Sequence, residues 1–217
     1  MRKLMKLMTI TTVASVSAVQ VLACSNDSQY ENFINDINDS EKNNTAFFGF
    51  LGSADSQESI ALYDIFSYLN QSINNQKSLW QNWITEQDAT IKNAGLTNIY
   101  LKAYQGPPHD PKPSDPIDSF WNDKNISWQK NIFNWVYGNT KGNSNYHTPQ
   151  GVSEVTEIEV KKDDKDNDMF KNLPIVFIIK KGQLITAGQN WISTESNRPQ
   201  KIEAVKTFVL TNLFLPS

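Results

Sequence analysis

The sequence is poor in the side chains that carry most enzyme chemistry. Its 217 residues include one cysteine, Cys24, and two histidines, His109 and His147. With a single thiol, the chain can form neither an internal disulfide nor a dithiol redox centre. Each histidine lies in a proline-rich or asparagine-rich segment without a second ligand at zinc spacing, so no zinc site is expected. We expect the protein to use no metal and no other cofactor.

Other familiar catalytic and binding patterns are also missing. There is no phosphate-binding loop of the G-x-x-x-x-G-K type, and Ser53 lacks the G-x-S-x-G surroundings of α/β hydrolases. Aspartates at 164, 166 and 168 resemble the start of a calcium loop. However, Met169 and Ile175 occupy the places where that loop needs glycine and glutamate. The segment is therefore predicted to be a solvated loop.

The charge of the chain argues against a polyanionic partner. It has 20 basic and 23 acidic residues, with a formal net charge of −3. No basic cluster follows the first few residues, so the folded part is not expected to attract nucleic acid or anionic lipid.

The first 23 residues have the layout of a bacterial export signal. Arg2, Lys3 and Lys6 form a positive start, and residues 7–23 carry no charge. This stretch is diluted by threonine and serine. It is also shorter than the roughly 20 strongly apolar residues that a membrane-spanning helix needs. We predict a signal peptide over 1–23.

The end of this segment, Val21-Leu22-Ala23-Cys24, resembles the lipobox of bacterial lipoproteins, with Val21 in place of the usual leucine. The resemblance implies a diacylglyceryl thioether on Cys24 and a membrane partner bound through this lipid anchor, on the extracytoplasmic face. The alternatives are a secretory signal cut elsewhere and an uncleaved anchor.

Composition adds to this resemblance. Lysine outnumbers arginine 18 to 2, and 24 residues are asparagine, a bias typical of AT-rich genomes. Leader and composition together resemble the surface lipoproteins of mollicutes. The polar segment 24–44 is predicted to be a tether, with a possible short helix at 30–37, and the folded domain is predicted to span 45–217.

Hydrophobic patterns in the predicted domain alternate between strands and helices. Strands are predicted at 45–51, 98–104, 174–179 and 184–188, with a tight turn at 180–183. Helices are predicted from residue 55 or 56 to 73, and at 77–93, 127–137 and 198–215. The segment 152–160 is ambiguous between strand and helix, and 106–116, with five prolines, reads as a stiff loop. This order predicts an α/β fold with a mixed sheet flanked by helices.

Two motifs make the order resemble the thioredoxin fold. Leu173-Pro174 precedes an apolar run and the turn Lys180-Lys181-Gly182, where the family has a cis proline before its third core strand and then a hairpin. The segment 48–56 resembles the family's strand-to-helix elbow, with Ser53 and Ser56 on the two Cys-x-x-Cys positions. A helical insertion, as in the DsbA-like oxidoreductases, is then expected at about 105–172.

The serines change what this resemblance implies. Thioredoxin-type redox chemistry needs an activated thiolate and a second thiol, so the chain is not expected to be a thiol-disulfide oxidoreductase. In the family, the backbone beside the proline pairs with extended peptides. Ser53, Ser56, Leu173 and Pro174 are therefore candidate binding residues for a peptide or protein. The alternative for the two serines is a loop residue and a helix cap.

Three functions stay open from the sequence. The first is a non-enzymatic binding domain on a membrane anchor, and no catalytic residue is assigned. The second is a hydrolase that uses the Ser53 elbow, and the third is a surface antigen or adhesin-like protein. Tryptophans at 80, 83, 121, 128 and 135 are either core residues or the lining of a groove for carbohydrate or peptide.

Overall fold

A mixed β-sheet lies between two layers of helices in this computed structural model, which describes residues 26–53, 56–72, 76–106, 127–140, 153–154, 173–189 and 197–215. The strands are β1 (Ala46–Ser53), β2 (Ile99–Gly106), β3 (Ser153–Glu154), β4 (Ile175–Lys180) and β5 (Gln183–Gln189). The helices are α1 (Asn26–Lys42), α2 (Gln57–Asn70), α3 (Leu79–Glu86), α4 (Asp88–Asn93), α5 (Ser127–Thr140) and α6 (Arg198–Leu213).

The strand order in the sheet is β2-β1-β4-β5-β3. Strands β1 and β2 are parallel, whereas the pairs β1–β4, β4–β5 and β5–β3 are antiparallel. The predicted fold class, an α/β mixed sheet flanked by helices, is confirmed at this level.

Helices cover both faces of the sheet, which explains why β1 and β4 read as unbroken apolar runs. All eight residues of β1 and all six of β4 are buried. On one face, which we call the α5 face, the sheet packs against α1 and α5. On the other, the α2 face, it packs against α2, α3, α4 and α6.

The hairpin between β4 and β5 forms as predicted. Its two turn residues, Lys181 and Gly182, have φ angles of 51° and 80°. Positive φ at both central positions is typical of the type I′ turn, which matches the twist of antiparallel strands.

The helix predicted at 77–93 is wrong in one respect, because it divides at Gln87 into α3 and α4. No glycine or proline marks this point, so local sequence does not reveal the break. Trp80 and Trp83 on α3 and Ile91 on α4 are all buried against the same face of the sheet.

The polar tether predicted for 24–44 is wrong over residues 26–42, which form α1. Phe33 of this helix is fully buried, and its ring meets those of Tyr104 and Phe177 edge-on. Asp36 accepts hydrogen bonds from Lys102 at 2.6 Å and from the Tyr104 hydroxyl at 2.5 Å. Tyr30, Phe33, Ile34 and Ile37 form one apolar side of this polar helix and pack on the sheet. The folded unit therefore includes α1 and does not begin at residue 45.

Several predictions fall outside the described residues. They concern the signal peptide, Cys24, the loop 107–116, the aspartates at 164–168, both histidines and Trp121. Within the predicted insertion at 105–172, the described parts are the end of β2, helix α5 and the short strand β3. None of the described helices is both long and apolar enough to span a membrane.

Candidate functional site

Strand β1 and helix α2 meet in a hydrogen-bonded elbow at the carboxyl end of β1, beside the end of the parallel strand β2. Ser53 is the last residue of β1. Its carbonyl accepts from the Ser56 N–H at 3.1 Å, and its own N–H donates to the Ser59 hydroxyl at 3.1 Å. Ser53 and Ser59 are both fully buried. These two bonds link the end of β1 to the start of α2.

Ser56 caps helix α2 and also contacts a residue that is distant in the chain. Its hydroxyl oxygen accepts from the Ser59 N–H at 3.2 Å, as an N-cap side chain does. The same oxygen lies 2.9 Å from the Leu173 carbonyl oxygen and 3.2 Å from the Glu58 carboxylate. A hydroxyl has one hydrogen, so it can donate to only one of these two acceptors at a time.

The structure brings the elbow and the proline segment together. Ser56 and Leu173 are 117 positions apart in the chain and share a hydrogen bond. The Leu173–Pro174 peptide bond is cis, and both residues are buried, with Leu173 at 3% exposure. In this conformation the Leu173 carbonyl already has a partner within the chain.

Ser53 is poorly placed to act as a nucleophile. It has no exposed surface, and a nucleophilic serine needs both access to substrate and a base within hydrogen-bond reach. His109 and His147 lie outside the described residues. Within those ranges, no group of three or more His, Cys, Asp or Glu side chains could hold a metal ion.

Helix α5 covers the elbow from the other side through Gln129, a residue that the sequence predictions missed. Gln129 is fully buried, and its side-chain nitrogen donates to the Gly52 carbonyl at 2.9 Å. It shares a helix face with the buried residues Ile132, Phe133 and Val136. The sequence signal that could have identified it is a glutamine within an otherwise apolar helix stripe.

A cleft of about 580 Å³ opens beside the elbow, between α2 and α6. Glu58 and Asp64 lie on its α2 wall, and Arg198 and Lys201 on its α6 wall. The Arg198 guanidinium lies 5.1 Å from the ring centre of Tyr68. The cleft has walls of opposite charge, so its own charges favour neither a cation nor an anion.

The described tryptophans pack in the core or against it. Trp80 and Trp83 are buried with ring centres 4.6 Å apart, and the Trp80 indole N–H donates to the Ile99 carbonyl at 2.8 Å. Trp128 is buried, and the half-buried Trp135 packs edge-on against Phe33. This favours the core interpretation for these four residues.

Comparison of the chain with protein families, with curated proteins and with solved structures gave no match in any of the three. The function is therefore inferred from the geometry of the site itself.

Proposed function

We propose that this protein is a membrane-anchored extracytoplasmic lipoprotein whose thioredoxin-like domain binds an extended peptide and has no redox activity. The ligand lies along the elbow and the Leu173–Pro174 segment. The observation that carries the proposal is the contact between Ser56 and Leu173, because it joins the two motifs that resemble the thioredoxin family.

The arrangement of strands supports the same fold. A parallel strand pair connected through helices is followed by an antiparallel hairpin, and Pro174 directly precedes the first strand of that hairpin. At the elbow, hydroxyl groups occupy the positions where the family has thiols. The property that this chain keeps from the family is the binding of an extended peptide by the backbone beside the proline.

Ser56 provides a way for the peptide site to open. In the thioredoxin family the backbone beside the proline pairs with an extended peptide, but here the Leu173 carbonyl accepts from Ser56. Rotation of the Ser56 hydroxyl toward Glu58, 3.2 Å away, releases the carbonyl and keeps the hydroxyl hydrogen-bonded. The exchange replaces one hydrogen bond with another, so its cost in free energy is small.

The anchor is tested by mass spectrometry of the mature N-terminus. We expect a diacylglyceryl group on Cys24, and Cys24→Ser should remain unmodified. A free thiol on Cys24, or a different first residue, would contradict the anchor. Helix α1 begins two residues after Cys24, so such an anchor holds the folded unit close to the bilayer.

Peptide binding is tested with an unstructured probe, reduced and carboxymethylated α-lactalbumin, by NMR titration of the backbone amides. We expect the largest shifts at Ser56 and Leu173. Ser56→Ala removes the competing donor and should tighten binding about fivefold, since a net hydrogen bond contributes about 1 kcal/mol.

Ser78→Ala is the matched control for this titration. Ser78 caps helix α3 in the same way as Ser56 caps α2, but its side chain bonds within its own turn. It should leave the affinity unchanged. Shifts that avoid Leu173, or equal effects of the two alanine variants, would count against the proposed site.

The absence of redox activity is tested by insulin reduction with dithiothreitol. We expect the protein to give the background rate, because the chain has no second cysteine and Cys24 carries lipid in the proposed mature form. Turnover above background would overturn this part of the proposal.

A further inference from the structure

Two buried glutamines on the α5 face carry polar atoms that have no hydrogen-bond partner. Gln129 is fully buried; its side-chain nitrogen bonds to Gly52, whereas its Oε1 has no partner. Gln189, at the end of β5, is 8% exposed, and its Nε2 has no partner. Unpartnered buried polar atoms are rare in proteins and each one destabilises the fold.

The two side chains lie over the same end of the sheet. The register pairs Leu51 of β1 with Ile175 of β4, and Val176 of β4 with Gly188 of β5. Continuing this antiparallel register by one residue brings Gln189 of β5 beside Ile175. Leu51 and Ala187 pack on the α5 face. Because side chains alternate along a strand, Ser53 and Gln189 lie on that face as well.

Helix α5 packs on both β1 and β5 and so spans this end of the sheet. Strands β1 and β5 are separated by β4, which places them about 10 Å apart. The fully buried Ile175 lies between them as an apolar floor. Gln129 bonds to β1 through the Gly52 carbonyl, and Gln189 is the last residue of β5, so the two glutamines lie on either side of Ile175.

The two unpartnered atoms are chemically complementary. Gln129 Oε1 is an acceptor and Gln189 Nε2 is a donor, yet they do not bond to each other although both are buried. A group that pairs with both atoms must offer one donor and one acceptor. An amide has this combination.

We propose that Gln129 and Gln189 bind an amide group of the ligand, whose N–H donates to Gln129 Oε1 and whose carbonyl accepts from Gln189 Nε2. The amide belongs either to a peptide backbone or to a primary carboxamide. This inference rests on the proposed binding role of this end of the sheet and assigns its ligand chemistry.

The inference is tested by NMR titration of the glutamine side-chain amides of the intact domain. The probes are N-acetylalanine N-methylamide, acetamide and N,N-dimethylacetamide. We expect saturable shifts of Gln129 and Gln189 with the first probe, and binding at least about fivefold weaker with the third, which has no N–H to donate. Tighter binding of acetamide would assign the site to primary carboxamides instead of peptide backbone.

Gln189→Leu is the decisive variant, because it removes the unpartnered donor and keeps a similar volume. It should weaken binding of the capped alanine about tenfold and raise the thermal midpoint by about 2–4 °C. Gln183→Leu, on the exposed start of the same strand, should change neither value. If Gln189→Leu is poorly soluble, Gln189→Glu, which replaces the donor with an acceptor, should also lose binding.

A lower midpoint for Gln189→Leu with unchanged probe binding would show that a buried water or an internal group already satisfies Gln189, and would overturn the inference. If Ser56→Ala alters binding of the unstructured probe while Gln189→Leu does not, the proposed function stands and this assignment fails. If neither variant alters binding, both fail.

Discussion

The hydroxyl of Ser56 lies 2.9 Å from the carbonyl oxygen of Leu173 and closes a loop of 117 positions at the carboxyl end of β1. One side chain thus caps a helix and ties that helix to the start of β4. We expect the helix cap and the bond to Leu173 each to raise the free energy of unfolding of the domain.

Ser56→Ala should lower the free energy of unfolding by about 2–4 kcal/mol. The lost helix cap accounts for about 1 kcal/mol, and the buried Leu173 carbonyl left without its donor accounts for the rest. Asn197→Ala, which removes only the cap of α6, should cost about 1 kcal/mol. Urea unfolding of both variants measures the difference; equal costs would mean that the contact with Leu173 contributes nothing.

Phe33→Ala should destabilise the domain by about 3–5 kcal/mol, because it empties a fully buried site between α1 and the sheet. Phe214→Ala is the control, since Phe214 is 55% exposed and its loss should change stability by less than about 0.5 kcal/mol. Chemical denaturation followed by tryptophan fluorescence compares the two. A small effect of Phe33→Ala would restore the interpretation of residues 26–42 as a tether.

Gly49→Ala should destabilise the domain by about 1–3 kcal/mol or more. The ring of Phe177 on β4 lies directly over Gly49, and an added Cβ would overlap it. Gly138→Ala adds the same methyl group on α5, where nothing lies within 4 Å. There it should raise stability by about 0.5–1 kcal/mol, because alanine favours the helix. Thermal melts of the two variants should therefore shift in opposite directions.

Tyr104 should make the domain less stable in alkaline solution. Burial, and then the charge and hydrogen bond of Asp36, raise the pKa of the Tyr104 hydroxyl well above its usual value of 10.0. The folded state therefore holds this proton more tightly than the unfolded state. The resulting stability is complete below pH 10.0 and is lost as the pH rises through the raised pKa.

Tyr104→Phe removes this titration. At pH 7 it should cost about 1.5–3 kcal/mol through the lost hydrogen bond to a carboxylate, and above pH 10 its stability should approach that of the wild type. Tyr100→Phe changes an exposed position on the same strand, so its free energy of unfolding should depend on pH in the same way as that of the wild type. Urea unfolding between pH 7 and 11 provides the measurement, and a constant difference between wild type and Tyr104→Phe would refute the assignment.

Local patterns were sufficient where a few adjacent residues decide the structure. The hairpin at Lys181-Gly182 forms because those two positions adopt positive φ, and α2 begins at Ser56 because a serine there caps it. The break at Gln87 and the burial of α1 could not be predicted in this way. Both depend on contacts with strands that are distant in the sequence, such as those of Phe33 with Tyr104 and Phe177.

The residues of the candidate site also differ in how far local sequence marks them. Ser53, Ser56, Leu173 and Pro174 were recognisable because their neighbours form motifs. Gln129 was marked only by its place in an apolar helix stripe, and nothing in the neighbouring sequence marks Gln189. Only the crossing of α5 over β1 and β5 buries them at the same end of the sheet.

The sequence by itself determined the chemistry that is excluded and the class of the fold. One cysteine rules out dithiol chemistry within the chain, and the order of apolar segments specifies a mixed sheet covered by helices. Tertiary structure alone decided that α1 belongs to the core, that Ser56 contacts Leu173, and that Gln129 and Gln189 each bury one polar atom without a hydrogen-bond partner. The apolar periodicity of a segment shows which side of a helix or strand is apolar. Which residues that side contacts depends on how distant segments pack together.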